Sequence, residues 1–193
     1  HDDPKLGRQK WTTFHTKELP PVVDAKLDGT GVNGIAGVSM AGTSVLNLAE
    51  QAPQLYRAVA SYSGCAQTST EQGRNYVNLV VAGRGGATLA NMWGPPNDPA
   101  WTANDPSLNA EKLRGKAIYL SSGSGLPGRH DTLSNPRVKQ NPIVLINQDI
   151  TGGLIEAATN LCTKTLAGRL RSLDIPATVK FRTDGTHSWG YWQ

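Results

Sequence analysis
Short apolar runs and helical stripes alternate along this chain, and their order sets the fold expectation. Gly34 to Val38 is a compact apolar run preceded by the turn residues Asp28 to Asn33, the pattern of a buried strand. Directly after it, Val45, Leu48, Ala49 and Ala52 fall at i, i+3, i+4 and i+7, which predicts an amphipathic helix closed by Pro53. Ala58 to Tyr62 is the next buried strand, and strand, helix, strand in that order marks a βαβ unit of a mostly parallel sheet. Ala117 to Leu120 and Ala177 to Phe181 read as further strands. Between them, Thr151 to Leu173 is the longest predicted helix, with Leu154, Ala158, Leu161, Cys162, Leu166, Leu170 and Leu173 on its buried side.

The remaining stretches are less regular. Residues 1 to 10 are polar and unpatterned, a loop or frayed end, and Trp11 to Phe14 is a short run readable as strand or turn. Glu18 to Leu27 predicts a short helix, with Pro20 and Pro21 accommodated in its first turn. Short helices are expected around Tyr76 to Ala82 and near Leu108 to Leu113, with a flexible Gly83 to Gly86 and a turn-rich aromatic segment through Trp93 and Trp101. Ser121 to Gln148 reads as one long loop, a length that in a compact domain goes with function or mobility. The expectation is an α/β fold, a mostly parallel doubly wound sheet with helices on both faces, in a single domain spanning residues 1–193.

Composition narrows the function classes. The 193 residues carry 19 Lys and Arg against 15 Asp and Glu, spread evenly. The basic-leaning stretch Lys112 to Lys139 lacks interleaved aromatics, so a nucleic-acid surface is not indicated. No apolar run has the length of a membrane span and no signal peptide is visible. Gly123-Ser124-Gly125 is followed by neither Lys-Ser/Thr nor a helix pattern, which argues against a phosphate cradle. No cofactor or metal is called for. Cys65 and Cys162 leave one possible pairing: either a bridge across about half the chain, which export would favour, or two small buried thiols.

The chemistry centres on Gly37-Val38-Ser39-Met40-Ala41-Gly42, a G-x-S-x-A string placed between a strand and a helix. A serine on such a turn is exposed to a base and close to backbone N–H groups, with small neighbours where the backbone is crowded. A base and an orienting acid must follow it in the chain. His187, on the polar loop after the last strand, has the right place; His1 and His15 precede the serine, and His130 lies in the long loop. For the acid, Asp131, Asp149, Glu156, Asp174 and Asp184 are candidates. Asp174 and Asp184 read as turn residues and Asp149 as a helix cap. Glu156 stands in the first turns of the long helix, where a catalytic acid and a mere charge at a helix N-terminus are equally good readings.

Three further stretches carry a family resemblance: Met92-Trp93-Gly94-Pro95 with Asp98-Pro99-Ala100-Trp101 and Asn104-Asp105-Pro106; Gly185-Thr186-His187-Ser188-Trp189-Gly190-Tyr191-Trp192; and Lys10-Trp11-Thr12-Thr13-Phe14 with Glu18-Leu19-Pro20. With the serine elbow they resemble the trehalose mycolyltransferases, the antigen 85 family, in the style of its corynebacterial branch. The resemblance implies an α/β-hydrolase fold, Ser39 as nucleophile, Met40 N–H as an oxyanion donor, His187 as base, and Glu156, in Leu154-Ile155-Glu156, as the acid. Trp189 and Ser188 would then lie beside the bound sugar, and a bridge between Cys65 and Cys162 suits an exported enzyme. Ser121-Ser122-Gly123 stands where mycobacterial members carry a cysteine. The family pattern also begins with a further third of chain, so these residues correspond to the C-terminal two thirds of a catalytic domain, and the N-terminal portion is implied as a non-covalent partner. Trehalose mycolates and cell-wall glycan are the implied substrates, and a secreted or cell-envelope location follows. A carboxylesterase and a non-catalytic carbohydrate- or matrix-binding paralogue are the alternatives on the same scaffold.

Overall fold
The computed structural model describes residues 2–193; His1 lies outside the described residues. The centre is a parallel four-stranded sheet in which β3 (Asn33–Val38), β4 (Tyr56–Tyr62), β5 (Ala117–Ser122) and β6 (Thr178–Phe181) lie in sequence order. Ile35 pairs with Val59 and Val59 with Ile118, while Leu120 pairs with Val179, so these apolar side chains share one face. Helices α3 (Met40–Gln51) and α8 (Gly153–Ser172) cover that face. Val45, Leu46, Leu48 and Ala49 of α3 meet Leu166, Ala167 and Leu170 of α8 across Val59, Ile118 and Leu120 in one core. Of the helices expected on both faces, these two lie on one. The other face, at Gly34, Ala36, Ala58, Ala60, Ala117 and Tyr119, lines an open concavity of about 690 Å³.

Several local expectations are corrected. Residues 2–8 form a small hairpin, β1 (Asp2–Asp3) with β2 (Gly7–Arg8). It is fixed by Asp3, whose carboxylate accepts from the Lys5 and Leu6 amides and reaches across to Thr88 N and Asn91 Nδ2. Trp11 to Phe14 is helical: α1 (Trp11–Thr13) runs through a π turn, Phe14–Glu18, into α2 (Leu19–Leu27). Pro20 and Pro21 therefore sit inside a continuous helical path; each lacks the N–H that an α-helix would use, and the wider turn lies directly before them. The crossover from β4 to β5 carries α4 (Glu71–Val81), capped by Thr70 Oγ1 on Gly73 N, then α5 (Ala90–Trp93) and α6 (Pro99–Ala103), capped by Asp98 on Ala100 N. Trp101 is core, 2% exposed, with Trp93 edge-on against it.

The stretch read as one long loop contains α7 (Pro142–Asn147), started by the Asn141 side chain on Ile143 N and Val144 N. A second π turn, Gln148–Gly152, joins it to α8 and includes Asp149, so that residue caps no helix start. The buried side of α8 also differs. Leu154 and Leu161 are exposed, and Glu156, Thr159, Asn160 and Thr163 are buried in their place. Cys65 and Cys162 form a disulfide, which fastens α8 to the turn after β4.

Candidate active site
Ser39 sits between β3 and α3 with φ 58° and ψ −126°, a conformation that costs a non-glycine residue on the order of 1–3 kcal/mol. The surrounding structure holds it there. Ser39 N donates to Tyr62 O at 2.8 Å and Ser39 O accepts from Gly42 N at 2.9 Å. A Cβ on Gly37 would run into the Ala41 carbonyl, and one on Gly42 would lie 2.9 Å from Ser61 Oγ and 3.0 Å from Gly64 Cα. Gly42, rather than the exposed Ala41, is thus the tight position after the serine. The turn lifts Oγ clear of the sheet and leaves Met40 N–H in the first turn of α3, where donors lack an intrahelical acceptor.

Ser39 Oγ lies 2.7 Å from His187 Nε2, and His187 Nδ1 lies 2.7 Å from Glu156 Oε2. Three elements supply the line: the β3–α3 turn, the loop after β6, and the first turn of α8. The other Glu156 oxygen is caged. Oε1 accepts from Gly123 N at 2.5 Å, Ser63 Oγ at 2.7 Å and Ser122 Oγ at 3.1 Å, with Arg182 Nη2 3.9 Å away. Glu156 is fully buried. Burial by itself raises its carboxyl, but the bonds from His187, Ser63 and Gly123 outweigh that and hold it below the ordinary range. It is therefore an anion at neutral pH, facing Nδ1 and favouring the tautomer with Nε2 free to accept.

A second buried carboxylate fixes the histidine loop. Asp131 accepts from Thr186 Oγ1 and Gln148 Nε2, each at 2.6 Å, from Tyr191 OH at 2.7 Å and from Gly128 N at 2.8 Å. Thr186 immediately precedes His187, whose own N–H donates to Gly152 O at 3.1 Å. Asp131, one of the acid candidates, thus acts on the loop and makes no bond to the imidazole. Asp174 lies in the turn after α8, and Gly125 N and Ser124 N bond to the carbonyls at Gly185 and Asp184, so the glycine string braces the histidine loop.

Ser39, His187, Trp189 and Trp192 line an open cleft of about 640 Å³ together with Ala36, Gly37, Val38, Ala41 and Tyr62. Trp189 is 54% exposed and edge-on to Trp192, with the Arg137 guanidinium 5.9 Å from its ring. Ser188, read with Trp189 as facing a sugar, is buried in extended backbone and is not among the residues that line the cleft, unlike His187 and Trp189 on either side of it. Sequence reading passed over Ser63 and Trp192. Trp192 Nε1 donates to Ser63 Oγ at 2.9 Å, and the Trp192 ring stands edge-on to His187 at 4.8 Å, closing a circuit through Ser63, Glu156 and His187. Ser63 adopts a positive φ (52°), and no sequence spacing signals its place in this circuit. Among the described residues there is no cluster able to hold a metal ion.

With this geometry in view, comparison places the chain. The Esterase family model matches residues 4–193. The diacylglycerol acyltransferase/mycolyltransferases Ag85A and Ag85B of Mycobacterium leprae are 33% and 34% identical over 97% and 95% of this chain. The chain spans about half of their length, 54% and 53%. Among solved structures, Mycobacterium tuberculosis MPT51 (FbpC1) superposes with a TM-score of 0.76 at 22% identity, over 100% of this chain and 67% of that one. A ferulic acid esterase superposes with a TM-score of 0.56 at 18% identity, over 95% of this chain and 56% of that one. The fold is that of the α/β-hydrolases, and the chain belongs to the Esterase family.

Proposed function
We propose that this chain carries the reaction centre of a serine acyltransferase that moves a mycolyl group from trehalose monomycolate to a second trehalose monomycolate or to cell-wall arabinogalactan. The observation that carries the reading is the unbroken line from Ser39 Oγ through His187 to the caged Glu156 carboxylate. Ser39 Oγ attacks the ester carbonyl as its proton passes to His187 Nε2. The oxyanion forms at the N-terminus of α3, where Met40 N–H donates to it. When the carbonyl re-forms, the bond to the trehalose oxygen breaks and that oxygen takes the proton from His187. In the second half, the acceptor hydroxyl gives its proton to His187 and attacks the acyl-Ser39 ester, and Ser39 Oγ leaves with the proton returned. Glu156 stays ionised throughout and holds the ring in place.

Transfer must outrun hydrolysis, which needs a surface that orients a sugar hydroxyl. Trp189, exposed at the cleft, offers an aromatic face for a sugar ring. The names of the relatives favour an acyl acceptor other than water. The reading includes the N-terminal portion of the family domain as the partner that completes the site, and a secreted or cell-envelope location. The Esterase family match favours a second reading, hydrolysis at the same serine. Product analysis with trehalose monomycolate separates them: transfer gives trehalose dimycolate and free trehalose, hydrolysis gives free mycolic acid. Ser39→Ala abolishes either; a variant retaining full activity removes Ser39 as the nucleophile, and a wild-type chain that forms neither product leaves the non-catalytic glycan-binding role.

A further inference from the structure
Helices α7 and α8 run head to tail through the Gln148–Gly152 π turn, one helical path from Pro142 to Ser172. On its outer side Ile143, Ile146, Ile150, Leu154 and Leu161 are 76%, 56%, 60%, 70% and 57% exposed. Their spacings of three, four, four and seven place them in one stripe, and at the α-helical rise it extends about 27 Å. An apolar row of that length is more than the scattered exposed side chains a soluble surface ordinarily shows.

The fully exposed charges along this stretch of chain have one sign. Between Leu126 and Leu170 in the chain the carboxylates are Asp131 and Glu156, both buried, and Asp149, half-buried, whereas Arg129, Arg137, Lys139, Lys164 and Arg169 are all exposed. An apolar stripe in a stretch of chain whose fully exposed charges are all cationic matches the layer where anionic headgroups meet acyl chains. The stripe also abuts the reaction centre: Gly152 O accepts from His187 N, and Arg137 reaches over Trp189 at the cleft. It belongs to the β5 side of the sheet, at the far end of the strand order from β3 apart from β6.

We propose that the outer face of α7 and α8 docks on an anionic lipid surface, with the helix lying in the headgroup layer and the cleft opening at the same level. The use of this surface rests on the acyl-transfer reading: a long-chain ester held in such a layer reaches Ser39 without being drawn through water.

The test is co-sedimentation of the whole chain with vesicles of phosphatidylglycerol and phosphatidylcholine in equal parts, beside phosphatidylcholine alone. The triple variant Ile143→Gln, Ile146→Gln, Ile150→Gln changes exposed side chains outside the reaction centre. Labelling of Ser39 by a soluble fluorophosphonate, without vesicles, is followed in parallel. The expected result is a partition into anionic vesicles about 10-fold or more above the neutral ones, reduced about 10-fold or more in the triple variant with labelling unchanged. No binding to anionic vesicles, or equal binding by the triple variant, overturns the proposal. So does a dimer mass in light scattering that the triple variant halves, because a second copy then covers the stripe. Vesicle binding that the triple variant loses, in a chain whose Ser39 does not label, supports the docking surface and contradicts the acyl-transfer reading.

Discussion

At the scale of single residues, three buried carboxyls behave differently because their donors differ. Glu156 and Asp131 each suffer a burial penalty, and each is brought below its ordinary value, 4.5 and 3.8, by the hydrogen bonds it accepts. Their stabilisation is therefore complete above those ordinary values and is lost as pH falls through the lowered ones. Acid unfolding followed by circular dichroism is expected to begin below about pH 4, and Asp131→Ala, which strands four donors, is expected to cost about 3 kcal/mol in urea unfolding at neutral pH. Glu50 has the opposite sign. It is 4% exposed with Oε1 unpartnered, and burial, reinforced by Asp105 and opposed by Lys112, pushes it up to about 9. Between 4.5 and 9 folding requires it to take up a proton, so stability falls as pH rises through that window. Glu50→Gln is expected to gain about 3 kcal/mol at pH 7, with a melting-temperature advantage that grows toward pH 9 and vanishes near pH 4.5; an advantage independent of pH would contradict this.

At the scale of elements, what could be read from the sequence and what could not divide along one physical line. The β3–α3–β4 unit announces itself through apolar periodicity because its inward face is apolar, and Val45, Leu48 and Ala49 are buried as their spacing predicts. The serine, the glutamate and the histidine that the structure brings together were marked by chain order, local small residues and family resemblance. Helix α8 defeats the same periodicity rule. Its first turns face a polar cage, so Glu156, Thr159 and Asn160 are buried and Leu154 and Leu161 are not. Asp131, Ser63 and Trp192 were missed as structural partners for a related reason: each works through contacts more than fifty residues away in the chain. The Cys65–Cys162 bridge ties α8 to the turn after β4 that carries Ser63, with a separation of 97 residues. Its reduction is expected to cost about 4–5 kcal/mol, measured as a shift of the denaturation midpoint in dithiothreitol, and an unchanged midpoint would contradict a stabilising role.

At the scale of the whole molecule, the sheet is a scaffold whose C-terminal edge gathers the parts of one device. The β3–α3 turn delivers Ser39, the turn after β4 delivers Ser63 and the end of β5 with the residue after it delivers Ser122 and Gly123 to the acid, α8 delivers the acid itself, and the loop after β6 delivers His187. The opposite face of the sheet is open and lined by Gly34, Ala36, Ala58, Ala60 and Ala117, small residues that suit the close approach of a further layer. Intact mass after exposure to a long-chain alkyl fluorophosphonate shows whether this assembly makes Ser39 nucleophilic. The account predicts a single adduct on the wild-type chain, none on Ser39→Ala, and labelling slowed on the order of 10³-fold in Glu156→Gln, where the anion that orients the imidazole is gone. An adduct that persists in Ser39→Ala, or a wild-type chain that takes none, would contradict it.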